Sequence, residues 1–242
     1  KITRILQEII MHILLTRPIE DCKDLIIKFK SLSHKVSHLP VIKIQTIDYE
    51  EPKFNNFKGI IFTSANSVKN LTISNIDKQI NCFCVGSATE NVAKKNGFQN
   101  IFCAEGNVNN LKEIILQNFD QEKGSLLYVS GEIISSNLDR DLISEGYSVK
   151  RIINYKVHPI EEIRDEFIKD LKSSIPDMVF IYSENSARNY LNLMKKYGLL
   201  DHWMNTNLMC LGEKTSSILN EIKWKKIFLF NSGEEEFLLY KI

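Results

Sequence analysis

The chain has 242 residues, of which 43% are hydrophobic and 25% are charged, so it can form one large or two modest globular domains. Its 31 basic and 30 acidic residues leave a net charge of +1, which argues against a nucleic-acid-binding or membrane-binding surface built on bulk charge. No apolar run has the length of a membrane span and the sequence shows no signal-peptide pattern, so we expect a cytoplasmic protein.

The cysteines and histidines do not follow the spacing of a metal site. None of the five cysteines belongs to a CxxC pair, and four of them stand in apolar, strand-like runs. We expect buried free thiols in a reducing compartment rather than disulfides or zinc ligands. The five histidines are scattered without an HxxxH pattern, so we expect no metal site. The cysteines are Cys22, Cys82, Cys84, Cys103 and Cys210.

The first predicted elements are a buried strand and a helix. Residues 1–10 resemble an upstream extension, and regular structure is expected to begin with the strand HILLTRP. From Ile19 to about Leu32, hydrophobic residues recur on one helical face, which predicts an amphipathic helix. An extended segment broken by Pro40 and then a polar loop follow this helix.

The most informative stretch, Gly59 to Leu71, occurs twice. Its second copy runs from Met178 to Leu191, with Ser64 aligned on Ser183. Each copy is a short apolar run, a Ser-x-Asn-Ser corner and a helical pattern, which predicts a buried strand followed by a capped helix. In open α/β sheets such corners hold anions and small polar ligands at helix N-termini. Capping alone would explain one copy, whereas two copies with the same corner favour a shared binding cleft.

The duplication extends to the neighbouring units. Gly86 and Thr89 of VGSAT correspond to Gly212 and Thr215 of LGEKT, and both halves of the chain contain four strand–helix units in the same order. Strands that alternate with helices of about ten residues predict right-handed βαβ units and parallel sheets. The repeat therefore predicts two similar α/β domains. It leaves open whether each half folds alone or the first units of the two halves trade places.

The ordered set LLTRP, FTSANSV, VGSAT, YSENSA and LGEKT resembles the uroporphyrinogen-III synthase family, and the resemblance extends from Met11 to the C-terminus. It implies two similar, doubly wound parallel-sheet α/β domains joined by a two-stranded β-ladder linker. In this arrangement one domain combines residues 11–39 with residues 158–242, and the other comprises residues 43–153. Residues 40–42 and 154–157 would form the ladder.

The resemblance also implies a reaction, that of a carbon–oxygen lyase in porphyrin (haem) biosynthesis. Hydroxymethylbilane, a linear tetrapyrrole, would lose water and close to uroporphyrinogen III with inversion of ring D. The same substrate closes without inversion when it is left alone, so the enzyme's main task would be to position ring D. We expect no cofactor, no nucleic-acid or membrane partner, and a monomer that binds this small-molecule substrate.

Candidate site residues follow from the same resemblance. Tyr155 stands where the family has a tyrosine beside the linker, where it would donate a proton or a hydrogen bond to the leaving hydroxyl or pack as a ladder aromatic. Arg17 would pair with a substrate carboxylate bidentately or be an exposed loop arginine. The threonines of the Gly-x-x-Thr corners would bind substrate, cap their helices, or do both. The expected substrate-binding residues are Thr16, Arg17, Ser64, Asn66, Thr89, Ser183, Asn185 and Thr215.

Two other functions remain open at this point. A non-catalytic, two-domain protein that binds a small molecule would need neither Tyr155 nor this particular set of corners. A nucleotide or phosphosugar enzyme could use the corners as phosphate cradles. This second alternative is disfavoured because the chain contains no GxGxxG and no GxxxxGK[ST] motif.

Overall fold

The chain is divided into two compact units. The computed structural model describes residues 10–230 and 234–235, so the upstream extension expected at residues 1–10 lies, apart from Ile10, outside the described residues. Among the described residues, unit 1 comprises those up to Lys43 and from His158 onward, and unit 2 comprises Ile44–Val157. Unit 2 is therefore an insertion in the sequence of unit 1.

Eleven strands and eight α-helices alternate along most of the described chain. The strands are β1 (His12–Leu15), β2 (Lys35–His38), β3 (Ile42–Thr46), β4 (Phe57–Phe62), β5 (Asn81–Val85), β6 (Ile101–Ala104), β7 (Ser125–Gly131), β8 (Val149–Pro159), β9 (Met178–Ile181), β10 (Asn207–Cys210) and β11 (Lys226–Leu229). The helices are α1 (Ile19–Ser31), α2 (Ala65–Lys69), α3 (Ser87–Lys95), α4 (Val108–Asn118), α5 (Leu138–Ser144), α6 (Asp165–Ser173), α7 (Glu184–Lys196) and α8 (Glu213–Ile218). Among the described residues, no helix is long and apolar enough to cross a membrane.

Unit 1 contains a parallel sheet with the strand order β11-β10-β9-β1-β2. Every residue of β1, β9 and β10 is buried, because helices cover both faces of the sheet. On one face Leu14 belongs to a hydrophobic cluster with Tyr190 of α7. On the other face Ile13 and Phe180 belong to a cluster with Phe29 of α1.

Unit 2 contains a sheet with the order β3-β8-β7-β4-β5-β6. The strands from β8 to β6 are parallel. Val68 of α2 packs on one face of this sheet, and Leu111 of α4 and Leu142 of α5 pack on the other. Both units thus have parallel sheets with helices on both faces, and the predicted fold class is confirmed.

Strands β3 and β8 form the antiparallel pair. Ile47 N donates to Asn154 O at 2.9 Å near one end of the pair, and Ile160 N donates to Val41 O at 2.9 Å near the other. The unit boundaries, at residues 43/44 and 157/158, fall inside these two strands. Both strands extend beyond the ladder segments expected at residues 40–42 and 154–157.

Each sheet reverses its direction of winding at one place. In unit 1 the chain places β2 on one side of β1 and β9 on the other, so the reversal lies between β1 and β9. In unit 2 it lies between β4 and β7, because β5 and β6 extend to one side and β7 and β8 to the other. Ligands of open α/β sheets bind beyond the carboxyl ends of the strands at such switch points. The fold therefore singles out one candidate position in each unit.

Candidate functional site

Tyr155 of β8 lies at the switch point of unit 2, opposite Gly131, the last residue of β7. Its side chain is only 8% exposed and packs on Gly131, where an added Cβ would be 2.6 Å from the Tyr155 Cζ and 2.9 Å from its hydroxyl oxygen. The hydroxyl is hydrogen-bonded to Ser64. Burial raises the pKa of Tyr155, and the Ser64 hydrogen bond offsets part of that rise. The phenol is therefore neutral at physiological pH and can donate a proton.

Ser64 has two roles at this corner. It is the N-cap of α2, with extended backbone and an Oγ that accepts a hydrogen bond from Asn66 N at 3.2 Å. The same side chain contacts the Tyr155 phenol. Asn66 is partly exposed, and its carbonyl accepts hydrogen bonds from the backbone and side chain of Asn70. The capping interpretation of Ser64 holds, and the cap lies within reach of the candidate proton donor.

A second hydroxyl pair and one arginine stabilise the same end of the sheet. The Thr63 Oγ1 and Tyr128 Oη lie 3.1 Å apart. Arg151 donates from Nε to Ser130 Oγ at 2.7 Å and from Nη2 to Gly131 O at 2.8 Å. Burial raises the pKa of Tyr128, and its hydrogen bond to Thr63 acts in the opposite direction. Arg151 thus holds the last residues of β7, the strand on which Tyr155 packs.

The switch point of unit 1 carries a cation, Arg17, beside the ring of Tyr182. Thr16 is fully buried and donates its hydroxyl to Phe180 O at 2.6 Å, so its side chain joins β1 to β9. The Arg17 guanidinium lies over the ring of Tyr182, with Cζ 4.6 Å from the ring centroid, and its Nη2 is 3.8 Å from a carboxylate oxygen of Asp21. Its side chain is 29% exposed, so Arg17 is the partly exposed cation at this edge.

The second Ser-x-Asn-Ser corner is built like the first. Ser183 is the N-cap of α7, and its Oγ accepts from Ser186 N at 3.1 Å. Asn185 is the second residue of the helix and is exposed. Asn185 and Asn66 therefore hold the same position relative to their caps in the two units.

The two corner threonines occupy a different position from the one expected for a cap. The N-cap residues are Gly86 for α3 and Gly212 for α8, with φ values of 79° and 86°. Thr89 and Thr215 are the third residues of these helices and are 4% and 3% exposed. Thr215 donates to Leu211 O at 3.0 Å. The interpretation of these threonines as caps is wrong, because a left-handed glycine starts each helix and the threonine turns inward.

The glycine corners expose backbone rather than hydroxyls. A Cβ built on Gly86 or Gly212 would meet no atom within 4 Å, so both corners border open space. Backbone N–H groups at such helix starts are suited to oxyanions. Within the described ranges, no group of three or more His, Cys, Asp or Glu side chains is placed to hold a metal ion.

Many protein families have parallel sheets covered by helices, and comparison with known proteins shows to which of them this chain belongs. The model of the HEM4 family, described as uroporphyrinogen-III synthase HemD, matches residues 23–229. The chain belongs to this family. The uroporphyrinogen-III synthase of Saccharomyces cerevisiae is 28% identical over 143 residues, which are 52% of this chain and 52% of the yeast protein. The chain thus aligns with about half the length of this relative.

Solved structures share the fold. A uroporphyrinogen-III synthetase from Helicobacter pylori 26695 is similar with a TM-score of 0.61 and 19% identity, covering 96% of this chain and 100% of that one. A mutant uroporphyrinogen III synthase from the extremely thermophilic bacterium Thermus thermophilus is similar with a TM-score of 0.57 and 12% identity, covering 96% of each chain. At these identities the likeness establishes the common architecture.

In this member of the HEM4 family, the structure groups the expected residues by unit. Tyr155, Ser64 and Asn66 lie around the switch point of unit 2. Thr16, Arg17, Ser183 and Asn185 lie at the ends of β1 and β9 in unit 1. Thr89 and Thr215 stand one strand further out, after β5 and β10. Ser64 and Tyr155 form the only pair among these candidates for which the described residues give a direct side-chain contact.

Sequence analysis missed three residues at the switch point of unit 2. Gly131 was not identified as the surface on which Tyr155 packs, and the pairing of Tyr128 with Arg151 was not anticipated. Tyr128 and Arg151 are register partners on β7 and β8, and register cannot be obtained from one strand alone. The available signal was the strand SLLYVSG, where a glycine follows a tyrosine by three residues beside the expected ladder.

Proposed function

We propose that this protein is a uroporphyrinogen-III synthase that converts hydroxymethylbilane to uroporphyrinogen III with loss of water and inversion of ring D. The family match over residues 23–229 carries the proposal. The buried phenol of Tyr155 beside Ser64 supports it, because the first step requires a proton or hydrogen bond for a leaving hydroxyl. The yeast relative bears the same name, uroporphyrinogen-III synthase.

Tyr155 is the candidate general acid. In the proposed first step the phenol protonates the hydroxymethyl oxygen, the carbon–oxygen bond breaks with electrons from the pyrrole, and water departs to leave an azafulvenium ion. The pyrrole N–H proton then passes to the phenolate, which restores the phenol and gives the neutral azafulvene. Because burial holds the pKa of Tyr155 above its ordinary value, the proton is present over the neutral pH range. An electron-rich pyrrole ionises readily, so a neutral phenol is a sufficient acid for this step.

Ring D inversion depends on geometry rather than on further acid–base groups. The azafulvene carbon must be attacked by the substituted carbon of ring D, which gives a spiro intermediate that rearranges to the product. When the two reacting carbons are held in one orientation, their translational and rotational entropy is already lost on binding, and the barrier of the reaction step is lower. We assign this positioning to groups that bind the acetate and propionate side chains of the substrate.

The proposed carboxylate-binding groups differ in kind. Arg17 offers a guanidinium that can bind a carboxylate through two N–H groups. Asn66 and Asn185 offer side-chain amides beside the capping serines Ser64 and Ser183. Thr16, Thr89 and Thr215 are buried, so their assigned contribution is to shape the strand ends and helix starts whose backbone amides meet the substrate.

We also propose that the protein works as a cytoplasmic monomer on this small molecule, without a nucleic-acid or membrane partner. The near-neutral charge of +1 supports this assignment. All five cysteines are free thiols, as in proteins of reducing compartments. Sedimentation of the purified chain over a range of concentrations would test the monomer.

The test of the function is an isomer assay. The purified chain is incubated with freshly generated hydroxymethylbilane, the products are oxidised, and the porphyrin isomers are separated. We expect isomer III to dominate, whereas controls without protein and with heat-denatured protein should give mostly isomer I. A product mixture identical to these controls would show that the proposed activity is wrong.

A further inference from the structure

Asn154, the residue before Tyr155, is an extra residue in strand β8. The register of β7 with β8 is regular up to Ser130 opposite Ile153, and the next pair is Gly131 opposite Tyr155. One residue of β8 therefore has no partner on β7, which is the pattern of a β-bulge. Bulges re-aim the side chains that follow them, and they are frequent beside active sites. The bulge at Asn154 sets the direction in which Tyr155 leaves the strand.

The Asn154 side chain attaches this bulge to helix α2. It is fully buried, and its Nδ2 donates to the Ser67 carbonyl at 2.7 Å. Leu71 N, which would bond to Ser67 O in a longer α-helix, donates to Val68 O instead. A carbonyl can only accept, so the amide NH2 group must face Ser67. The contact is thus specific to an amide donor at position 154.

The same turn of α2 also holds the Tyr155 hydroxyl. Ser64 caps α2 and contacts the phenol, while Ser67 is the third helical residue and donates its Oγ to Ser64 O. Consecutive residues of β8 therefore contact both ends of one helical turn, Asn154 at Ser67 and Tyr155 at Ser64. A shift of the strand against this turn would move the phenol.

An unpaired atom argues that Asn154 is more than a core residue. Its Oδ1 is buried and has no hydrogen-bond partner among the described residues. A buried acceptor without a partner is unfavourable, and an apolar side chain of the same size would avoid that penalty. The presence of a polar side chain at this buried position therefore requires an explanation other than packing.

We propose that Asn154 is a positioning residue for the reaction: through Ser67 and the first turn of α2, it fixes the place of the Tyr155 hydroxyl. This inference rests on the proposed function, since it assigns Asn154 a task in the same step. The test therefore combines activity with one measurement that is independent of activity.

The first variant is Asn154→Leu, which keeps the approximate volume and removes the amide. We expect kcat to fall by about tenfold with KM nearly unchanged, because the interaction acts on the transition state. The melting temperature should change only modestly, because loss of the donor to Ser67 O is offset by removal of the unpaired Oδ1. The matched control is Asn189→Leu in unit 1, another buried asparagine with an unpaired amide atom, which should leave kcat unchanged. If Asn154→Leu lowers the melting temperature, Asn154→Ala removes the same donor without adding volume.

The second measurement is the NMR signal of the Tyr155 Cζ at neutral pH, assigned by its loss in Tyr155→Phe. It should shift in Asn154→Leu and stay fixed in Asn189→Leu. The deciding comparison is the double variant Asn154→Leu/Tyr155→Phe. It should be no slower than Tyr155→Phe, since both changes act on one hydroxyl and neighbouring sites are non-additive.

Three outcomes would overturn the inference. They are an unchanged kcat in Asn154→Leu, an unshifted Tyr155 signal, and a double variant slowed by the product of the two single effects. Failure of the wild-type chain to form isomer III would instead count against the proposed function, and the Tyr155 signal would still report on the contact between Asn154 and α2.

Discussion

The two switch points of the molecule share a backbone plan and differ in the chemical groups that they present. Both have a serine N-cap, Ser64 in unit 2 and Ser183 in unit 1, each followed by a helix that starts at the next residue. In unit 2 strand β8, which β7 separates from β4, brings in a phenol, Tyr155, which packs on a glycine of β7. In unit 1 the cation of Arg17 lies on an aromatic ring, and Thr16 is engaged with the backbone. Duplication thus repeats the corner, whereas the chemistry comes from residues outside it.

The largest expected effect concerns the independence of the two units. Residues 44–157 contain strands β4 to β7 and β8 up to Val157, so this fragment should fold alone with a cooperative thermal transition. Residues 11–118 should not fold, because they lack β7, which separates β4 from β8, and β9, which pairs with β1. Circular dichroism melts of both fragments test this. The reverse result would show that the two sequence halves fold in tandem.

Among single substitutions, Gly131→Ala at the switch point of unit 2 should have the largest effect on activity. The new Cβ would be 2.6 Å from the Tyr155 Cζ, and a displacement of about 1 Å can reduce turnover by about 100-fold. Gly131 does not have a positive φ, so the loss would come from the clash alone. Gly198→Ala in unit 1 is the control, because it adds backbone strain in open space at the carboxyl end of α7, away from the candidate site residues. Similar turnover in the two variants would contradict the packing role of Gly131.

Tyr155→Phe should reduce turnover by about tenfold, which corresponds to about 1.4 kcal/mol of barrier. The ring remains on Gly131, so the melting temperature should change little, and isomer III should still dominate. Tyr182→Phe in unit 1 keeps the ring under Arg17 and should leave turnover within about twofold of wild type. Single-turnover kinetics with both variants provide the measurement. Equal turnover for Tyr155→Phe and wild type would remove the phenol from the mechanism.

Ser64→Ala and Ser183→Ala should be alike in stability and different in rate. Each removes a cap hydrogen bond to its helix, so each should reduce the free energy of unfolding by about 1 kcal/mol. Only Ser64 contacts the Tyr155 phenol, so only Ser64→Ala should also slow turnover. Urea denaturation and the isomer assay measure the two quantities. A rate loss confined to Ser183→Ala would reverse the assignment of the two corners.

The smallest expected effect is that of pH. Burial raises the pKa of Tyr155, so the acid stays protonated across the neutral and mildly alkaline range, and turnover corrected for the uncatalysed reaction should be nearly level there. The sign is definite, because a raised pKa moves loss of the proton to more alkaline pH. A steep fall of kcat just above neutral pH would point to an acid with a lower pKa.

Local sequence signals predicted the elements of both units well. The Ser-x-Asn-Ser corners marked the starts of α2 and α7, and the apolar runs before them are the buried strands β4 and β9. Each of these signals, a helix cap, an apolar run or a helical period, is formed by a few residues that are neighbours in the sequence. The same information sufficed for the fold class, because alternating strands and helices have few ways to pack.

The environment of the site could not be predicted in the same way. The contact of Tyr155 with Gly131 depends on a bulge in β8, and one extra residue changes every later pair. Burial of Thr16 depends on the carbonyl of Phe180, which is remote in sequence. Capping, one of the alternatives for the corner threonines, was wrong because glycines with positive φ are the N-caps of both helices. Each of these features is a property of the pairing between distant segments.

The insertion of unit 2 within unit 1 has a consequence for synthesis of the chain. Strand β1 leaves the ribosome well before its neighbour β9, because α1 and all elements up to α6 lie between them in the chain. Unit 2 is complete before β9 appears, so it folds first, as domains generally do when they emerge as whole units. Until then the apolar residues Ile13, Leu14 and Leu15, which are fully buried in the finished protein, stay exposed. We therefore expect β1 to be the strand of unit 1 that most needs protection from aggregation during synthesis.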